Sequence, residues 1–175
     1  MGWGVTTSLP ISIFLISIKV LNMQQRPKLT LTVGLSNSGK TSWAEDLCKS
    51  QPNTINISRD GFRFGKYADS DLPADMLNRE ITWSVFREFY DAVQEGKDII
   101  ISDSNLNWRS RLYWERLAQE HNLKLEYAVF QSAFNDIFNS KDVYKLPEHV
   151  LTKQHSRYVD FVNSPTNPNA NYLVI

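Results

Sequence analysis

Residues Gly34-Leu35-Ser36-Asn37-Ser38-Gly39-Lys40-Thr41 satisfy G-x-x-x-x-G-K-[ST] at every fixed position, and no other feature of the chain constrains its fold as strongly. The glycines let backbone N–H groups turn inward around an anion, which needs a strand leading into the turn and a helix leaving it. Both neighbours fit. Lys28 to Val33 (KLTLTV) is a short β-prone run, and Thr41 to Ser50 reads as a helix with Trp43, Leu47 and Cys48 on one side. The helix adds its positive N-terminus, Lys40 reaches the outer phosphates, and the Thr41 hydroxyl is offered to Mg²⁺. Gly34 through Ser42 are therefore expected to hold the phosphates of ATP, with Mg²⁺ as the accompanying metal.

The rest of the chain alternates in the same way. Thr54 to Ile57 (TINI), Asp98 to Ser102 (DIIIS) and Leu123 to Phe130 (LKLEYAVF) read as strands. The run around Ile99 is apolar throughout, as in strands buried on both faces. Helices are expected from Pro73 to about Glu95, from Trp108 to His121, from Ala133 to Ser140 and from Pro147 to Val162, whereas Gly61 to Leu72 reads as a polar loop. Strands alternating with helices imply an α/β domain: a parallel sheet of about four strands, covered on both faces, with a small lid. Ligands of such sheets collect at the carboxyl ends of the strands.

Lysine plus arginine and aspartate plus glutamate both number 19, so the formal net charge is zero. Proteins that coat long duplexes are usually basic; neutrality leaves room for an enzyme that grips a single strand end. The single cysteine, Cys48, permits no intrachain disulfide and suits a reducing, cytoplasmic setting. Pro10 to Leu21 is apolar but too short to span a bilayer, and lacks the preceding positive region of a signal peptide. Residues 1–22 are expected to be an extension or alternative start, 23–163 the domain, and 164–175 a loosely held tail. Neither a membrane nor a protein partner is expected.

Two strand ends carry further candidates. Asp60 and Arg63 follow the second strand (ISRDGFR). An Asp there can be a turn or cap residue. At this sheet edge it can also take the proton of an acceptor hydroxyl, while Arg63 anchors an acceptor phosphate. The third strand ends in Ser102-Asp103-Ser104-Asn105-Leu106-Asn107. Asp103 sits where a Walker B carboxylate would hold Mg²⁺, and the segment also reads as a helix lead-in capped by Asn107.

Taken in order, GLSNSGKTSWA, INISRDGFR, IISDSNLN and R-x-R-L-x-W-E from Arg109 to Glu115 resemble the kinase domains of the phage polynucleotide kinase–phosphatase family, from about Lys28 to Phe161. The resemblance implies a P-loop kinase fold and transfer of the ATP γ-phosphate to the 5′-hydroxyl of a nucleic acid end. It also implies that Asp60 is the general base and Arg63 contacts the phosphate beside the acceptor nucleoside. Asp103 would then pair with Arg63 rather than hold metal, with Asn105 alongside as a substrate-binding residue. In two respects the chain departs from the family. The lid interval from Phe138 to Pro147 is shorter and holds Lys141 and Lys145 where the family carries arginines. Those lysines, or Arg109, Arg157 or another arginine, would have to replace them. No D-x-D-G-T run of a phosphatase half occurs.

Outside these blocks the bland readings lead. His121, His149 and His155 read as surface histidines, and the tryptophans as core packing, except that Trp108 follows the third-strand loop and could stack a base. Two competing functions share the phosphate loop: a small-molecule kinase acting on a nucleoside, nucleotide or sugar, and a nucleotide-binding module without efficient catalysis.

Overall fold

Alternation is strict in the strand that enters the phosphate loop. Leu29, Leu31 and Val33 are wholly buried on one face, and Thr30 and Thr32 are buried on the other, so both faces are covered. In the computed structural model, which describes residues 26–131, 146–165, 167 and 170–175, the elements run β1 (Lys28–Val33), α1 (Lys40–Ser50), β2 (Thr54–Ile57), α2 (Arg59–Phe64), α3 (Ala74–Gln94), β3 (Asp98–Ile101), α4 (Trp108–Glu120), β4 (Lys124–Val129), α5 (Glu148–Asn163) and β5 (Asn171–Val174). The five strands form one sheet in the order β2-β3-β1-β4-β5, parallel throughout.

This order positions the site. From β1 the chain passes over β3 to reach β2, and from β3 it returns over β1 to reach β4. The direction of winding therefore reverses between β1 and β3, and a crevice opens at their carboxyl ends. The two loops bordering it touch: Gly34 N–H donates to the Ser104 carbonyl at 3.3 Å. Beneath them, α3, α4 and α5 contribute Phe89, Trp114 and Phe161 to a core that includes Leu31, Ile101 and Tyr127. Phe89 and Trp114 rings lie 5.3 Å apart, the spacing of a favourable aromatic pair.

Three expectations are corrected. The stretch after Gly61 is not all loop: α2 continues to Phe64, because the Ser58 hydroxyl accepts from Gly61 N–H at 3.1 Å and caps the helix. The tail expected to hang loosely supplies β5, a fifth strand. Its Tyr172 ring stacks on Tyr127 at 5.1 Å with 7° between planes, a contact no local sequence signal could announce. Trp83, expected in the core, is 71% exposed on α3. Cys48 is half-buried, and its burial pushes the thiol pKa up, away from the reactive thiolate. The extension at residues 1–22 and the helix expected from Ala133 to Ser140 lie outside the described residues. No helix among the described residues is long and apolar enough to cross a membrane.

Candidate active site

The phosphate loop has the backbone its sequence demands. Gly39, at the N-cap of α1, has φ +86°, a left-handed conformation open to glycine at little cost. A Cβ on Gly34 would lie 2.8 Å from both Phe130 Cβ and Ser38 Oγ, so the close approach of this loop to β4 excludes any side chain there. No side chain caps the start of α1, and no acidic residue occupies its first turn. Its first amides are left facing the crevice, a donor set suited to a polyphosphate. Thr41 and Ser42 are exposed in that turn.

Lys40 is 7% exposed. Its ammonium donates to the Leu35 carbonyl and, at 3.2 Å, to Ser38 Oγ. Burial brings its pKa down to about 8, against the opposing pull of the Asp103 and Asp60 carboxylates. A desolvated cation with neutral oxygens for contacts is matched to an incoming anion. Ser36 is held from the far side of the chain: its N–H donates to Gln154 Oε1 at 3.0 Å, and Gln154 Nε2 donates to Ser36 Oγ at 3.0 Å.

On the acceptor side, Asp60 stands in the first turn of α2 with its side chain 69% exposed. Arg63 Nη1 donates to Asp60 Oδ1 at 2.9 Å, and Nη2 to Asn78 Oδ1 at 3.1 Å. Arg63 therefore hydrogen-bonds Asp60 and Asn78 rather than the expected Asp103, which feels it through its charge. Asp103 Oδ1 instead accepts the Arg59 N–H at 2.9 Å, which closes the start of α2 onto the β3 loop. Burial pushes the Asp103 carboxyl pKa up, while the Arg59 amide draws it back.

Asn105 needs the larger correction. It is 4% exposed, and its amide donates to the carbonyls of Thr32, Ile101 and Asp103 at 2.9, 3.0 and 3.0 Å. With φ +46° it forms the turn of the loop, and the Asp103 carbonyl also accepts from Thr32 Oγ1 at 2.7 Å. Asn105 is a strut that sets the Asp103 backbone, not a group presented to substrate.

Sequence reasoning missed Arg59, Asn78, Thr82 and Gln154. Arg59 Nη1 donates to Thr82 Oγ1 at 2.9 Å, so α3 orients both arginines of α2. Arg59 lies within the INISRDGFR block but carries no expected role there, the other three belong to no motif, and each finds its partner only when distant elements pack. Lys141 and Lys145 lie outside the described residues. Arg109 and Arg157, the other arginines considered for the lid role, line a cleft beside Trp108.

The AAA domain family matches residues 29–135, more than half of the chain. A curated relative described as a bifunctional polynucleotide kinase/RNA ligase of Autographa californica nuclear polyhedrosis virus is 23% identical over 159 residues, covering 82% of this chain and 22% of the relative. Among solved structures, a chain of the Pnkp1/Rnl/Hen1 RNA repair complex has a TM-score of 0.67 at 22% identity, over 81% of this chain and 47% of that one. A sugar kinase from Janibacter sp. HTCC2649 has a TM-score of 0.54 at 17% identity, over 85% of this chain and 84% of that one. The structural likenesses show the fold. This chain spans well under half the length of the viral protein and less than half that of the repair-complex chain.

Proposed function

The chain belongs to the AAA domain family of P-loop proteins, and on that premise we propose that it transfers the γ-phosphate of ATP to the 5′-hydroxyl of a DNA or RNA end. The observation that carries this is the convergence at one crevice of a buried Lys40 ammonium with two carboxylates, Asp60 and Asp103, whose fields it feels. Asp60 is the exposed one, with Arg63 hydrogen-bonded beside it. The viral relative's description, with its polynucleotide kinase activity, supports the choice of acceptor.

ATP supplies the transferable phosphoryl group; the rest is positioning and charge. The α1 amides and Lys40 orient the polyphosphate and carry the negative charge that moves toward the leaving oxygen. Thr41 would hold Mg²⁺ through its hydroxyl. Asp60 takes the proton of the acceptor hydroxyl, and its exposure keeps it reachable by a strand end. Arg63, already steered by Asn78, is placed for the phosphate joining the terminal nucleoside to the next. Asp103 fixes the first turn of α2 through the Arg59 amide, and so sets where Asp60 stands.

The test is phosphoryl transfer from labelled ATP to 5′-hydroxyl oligonucleotides, nucleoside 3′-monophosphates, plain nucleosides and sugars. The oligonucleotides should be preferred. Preference for a plain nucleoside or sugar would replace this reading with a small-molecule kinase. No transfer to any acceptor, with ATP binding intact, would leave a nucleotide-binding module.

A further inference from the structure

Trp108, Arg109 and Arg157 line a cleft of about 770 Å³ between the start of α4 and α5, and the phosphoryl transfer described above makes no use of it. The Trp108 ring is 54% exposed. The Arg109 guanidinium lies 5.3 Å from its centroid, and Arg157 enters from α5. Asp160 is the one carboxylate among the described lining residues. The ion pairs among the described residues involve Lys28, Lys49, Arg63, Lys97 and Lys124, so neither Arg109 nor Arg157 is committed to an acid there.

The cleft is mechanically tied to the acceptor side. Arg111 lies with its guanidinium 4.6 Å from the Phe161 ring centroid, and its Nη1 donates to the Asn105 carbonyl at 2.8 Å. Asn105 in turn holds the Asp103 carbonyl at 3.0 Å. From Asp103 to Trp108 the chain can reach at most about 18 Å. The cleft therefore lies within a few nucleotides of the acceptor side.

An exposed flat ring flanked by two cations without ion-pair partners among the described residues matches one ligand chemistry: unpaired bases to stack, joined by phosphates to neutralise. A duplex keeps its bases stacked on each other, and a sugar has no π face. Resting on the polynucleotide reading above, we propose that the Trp108–Arg109–Arg157 cleft is a single-strand subsite holding the acceptor a few nucleotides behind its 5′ end.

The full chain is assayed with 5′-hydroxyl DNA and RNA hexamers and with a nucleoside 3′-monophosphate, which has no second base to place in the cleft. Trp108→Ala should raise the ratio of hexamer KM to mononucleotide KM about ten-fold, and Trp108→Phe, which keeps a ring, should recover most of it. Anisotropy of a labelled hexamer without ATP gives a second reading. Replacing both arginines (Arg109→Gln with Arg157→Gln) should flatten the plot of log affinity against log salt by about 1.4, the loss of two phosphate contacts on a single strand. An unchanged KM ratio with an unchanged salt slope overturns the subsite, as does a duplex hexamer that binds as well as the single strand. If the parent phosphorylates neither acceptor, the polynucleotide reading falls and anisotropy alone judges the cleft. Hexamer binding weakened about ten-fold by Trp108→Ala would keep it; no binding, or binding indifferent to the substitutions, would end it.

Discussion

Gln154 of α5 grips Ser36 of the phosphate loop at two points, accepting from its backbone N–H and donating to its hydroxyl, each at 3.0 Å. The two residues are 118 positions apart in sequence. The clamp joins the phosphate loop to the helix that follows the lid interval, so the position of α5 and the shape of the loop are coupled. Gln154→Ala should remove two hydrogen bonds of roughly 1 kcal/mol each. The expected result is a KM for ATP raised about ten-fold with kcat changed far less. Gln154→Glu, which can still accept the Ser36 N–H, should fall between. Steady-state kinetics with ATP varied decides it; an equal fall in kcat for both variants would make Gln154 part of the chemistry instead.

Protonation of Lys40 works against the fold. Burial lowers its pKa from the ordinary 10.5 to about 8. Between those values the unfolded chain holds a proton here that the folded chain has released, so stability rises with pH across that window and is flat below it. Urea unfolding of the parent and of Lys40→Met, at intervals from pH 7 to 10.5, should show the parent gaining on the variant above about pH 8. Phosphate binding needs the ammonium and should weaken over the same range. Lys40→Ala should abolish transfer at any pH while leaving the fold intact.

Asp60→Asn keeps the shape of the side chain and removes the base. Its kcat should fall about 10²-fold or more, with ATP binding by calorimetry nearly unchanged. A joint fall of both would mark Asp60 as structural.

Arg63 and Asp103 should separate by acceptor. Arg63→Ala loses a charge-assisted contact worth about 1.5–3 kcal/mol, or roughly ten- to a hundred-fold in kcat/KM, on oligonucleotides and nucleoside 3′-monophosphates. A plain nucleoside, lacking that phosphate, should lose little. Asp103→Ala frees the first turn of α2 and should lower kcat on every acceptor, because it displaces Asp60. Kinetics of both variants on all three acceptors tests the two roles together.

The fifth strand is a stability statement. Tyr172 stacks on Tyr127 at the sheet edge and its hydroxyl donates to the Asn167 carbonyl at 2.7 Å. Tyr172→Ala should cost about 2 kcal/mol, or roughly 5 °C in Tm by calorimetry. A Tm within a degree of the parent would return residues 171–174 to the status of a loose end.

Where the determining interactions are local, the sequence alone was sufficient. The phosphate loop is such a case: fixed spacing and two glycines dictate a backbone that requires a strand before it and a helix after, whatever surrounds them. The apolar run of β3 and the lengths of α3 and α4 were legible for the same reason, since periodicity and caps are short-range signals. The partners of the functional side chains were not. Asp103 meeting the Arg59 amide, Arg63 turning to Asp60 and Asn78, Asn105 buried beneath the loop and Gln154 reaching Ser36 all depend on which distant elements pack together. The same holds for β5, whose Tyr172-to-Ile175 run is β-prone but short and says nothing of its partner, and which pairs because β4 offers a ladder and Tyr127 a stacking face. Packing and hydrogen-bond satisfaction across the sheet decided these, and only the Arg63–Asp60 pair and the bonds of Asn105 to its own loop carbonyls fall within a short window of the chain.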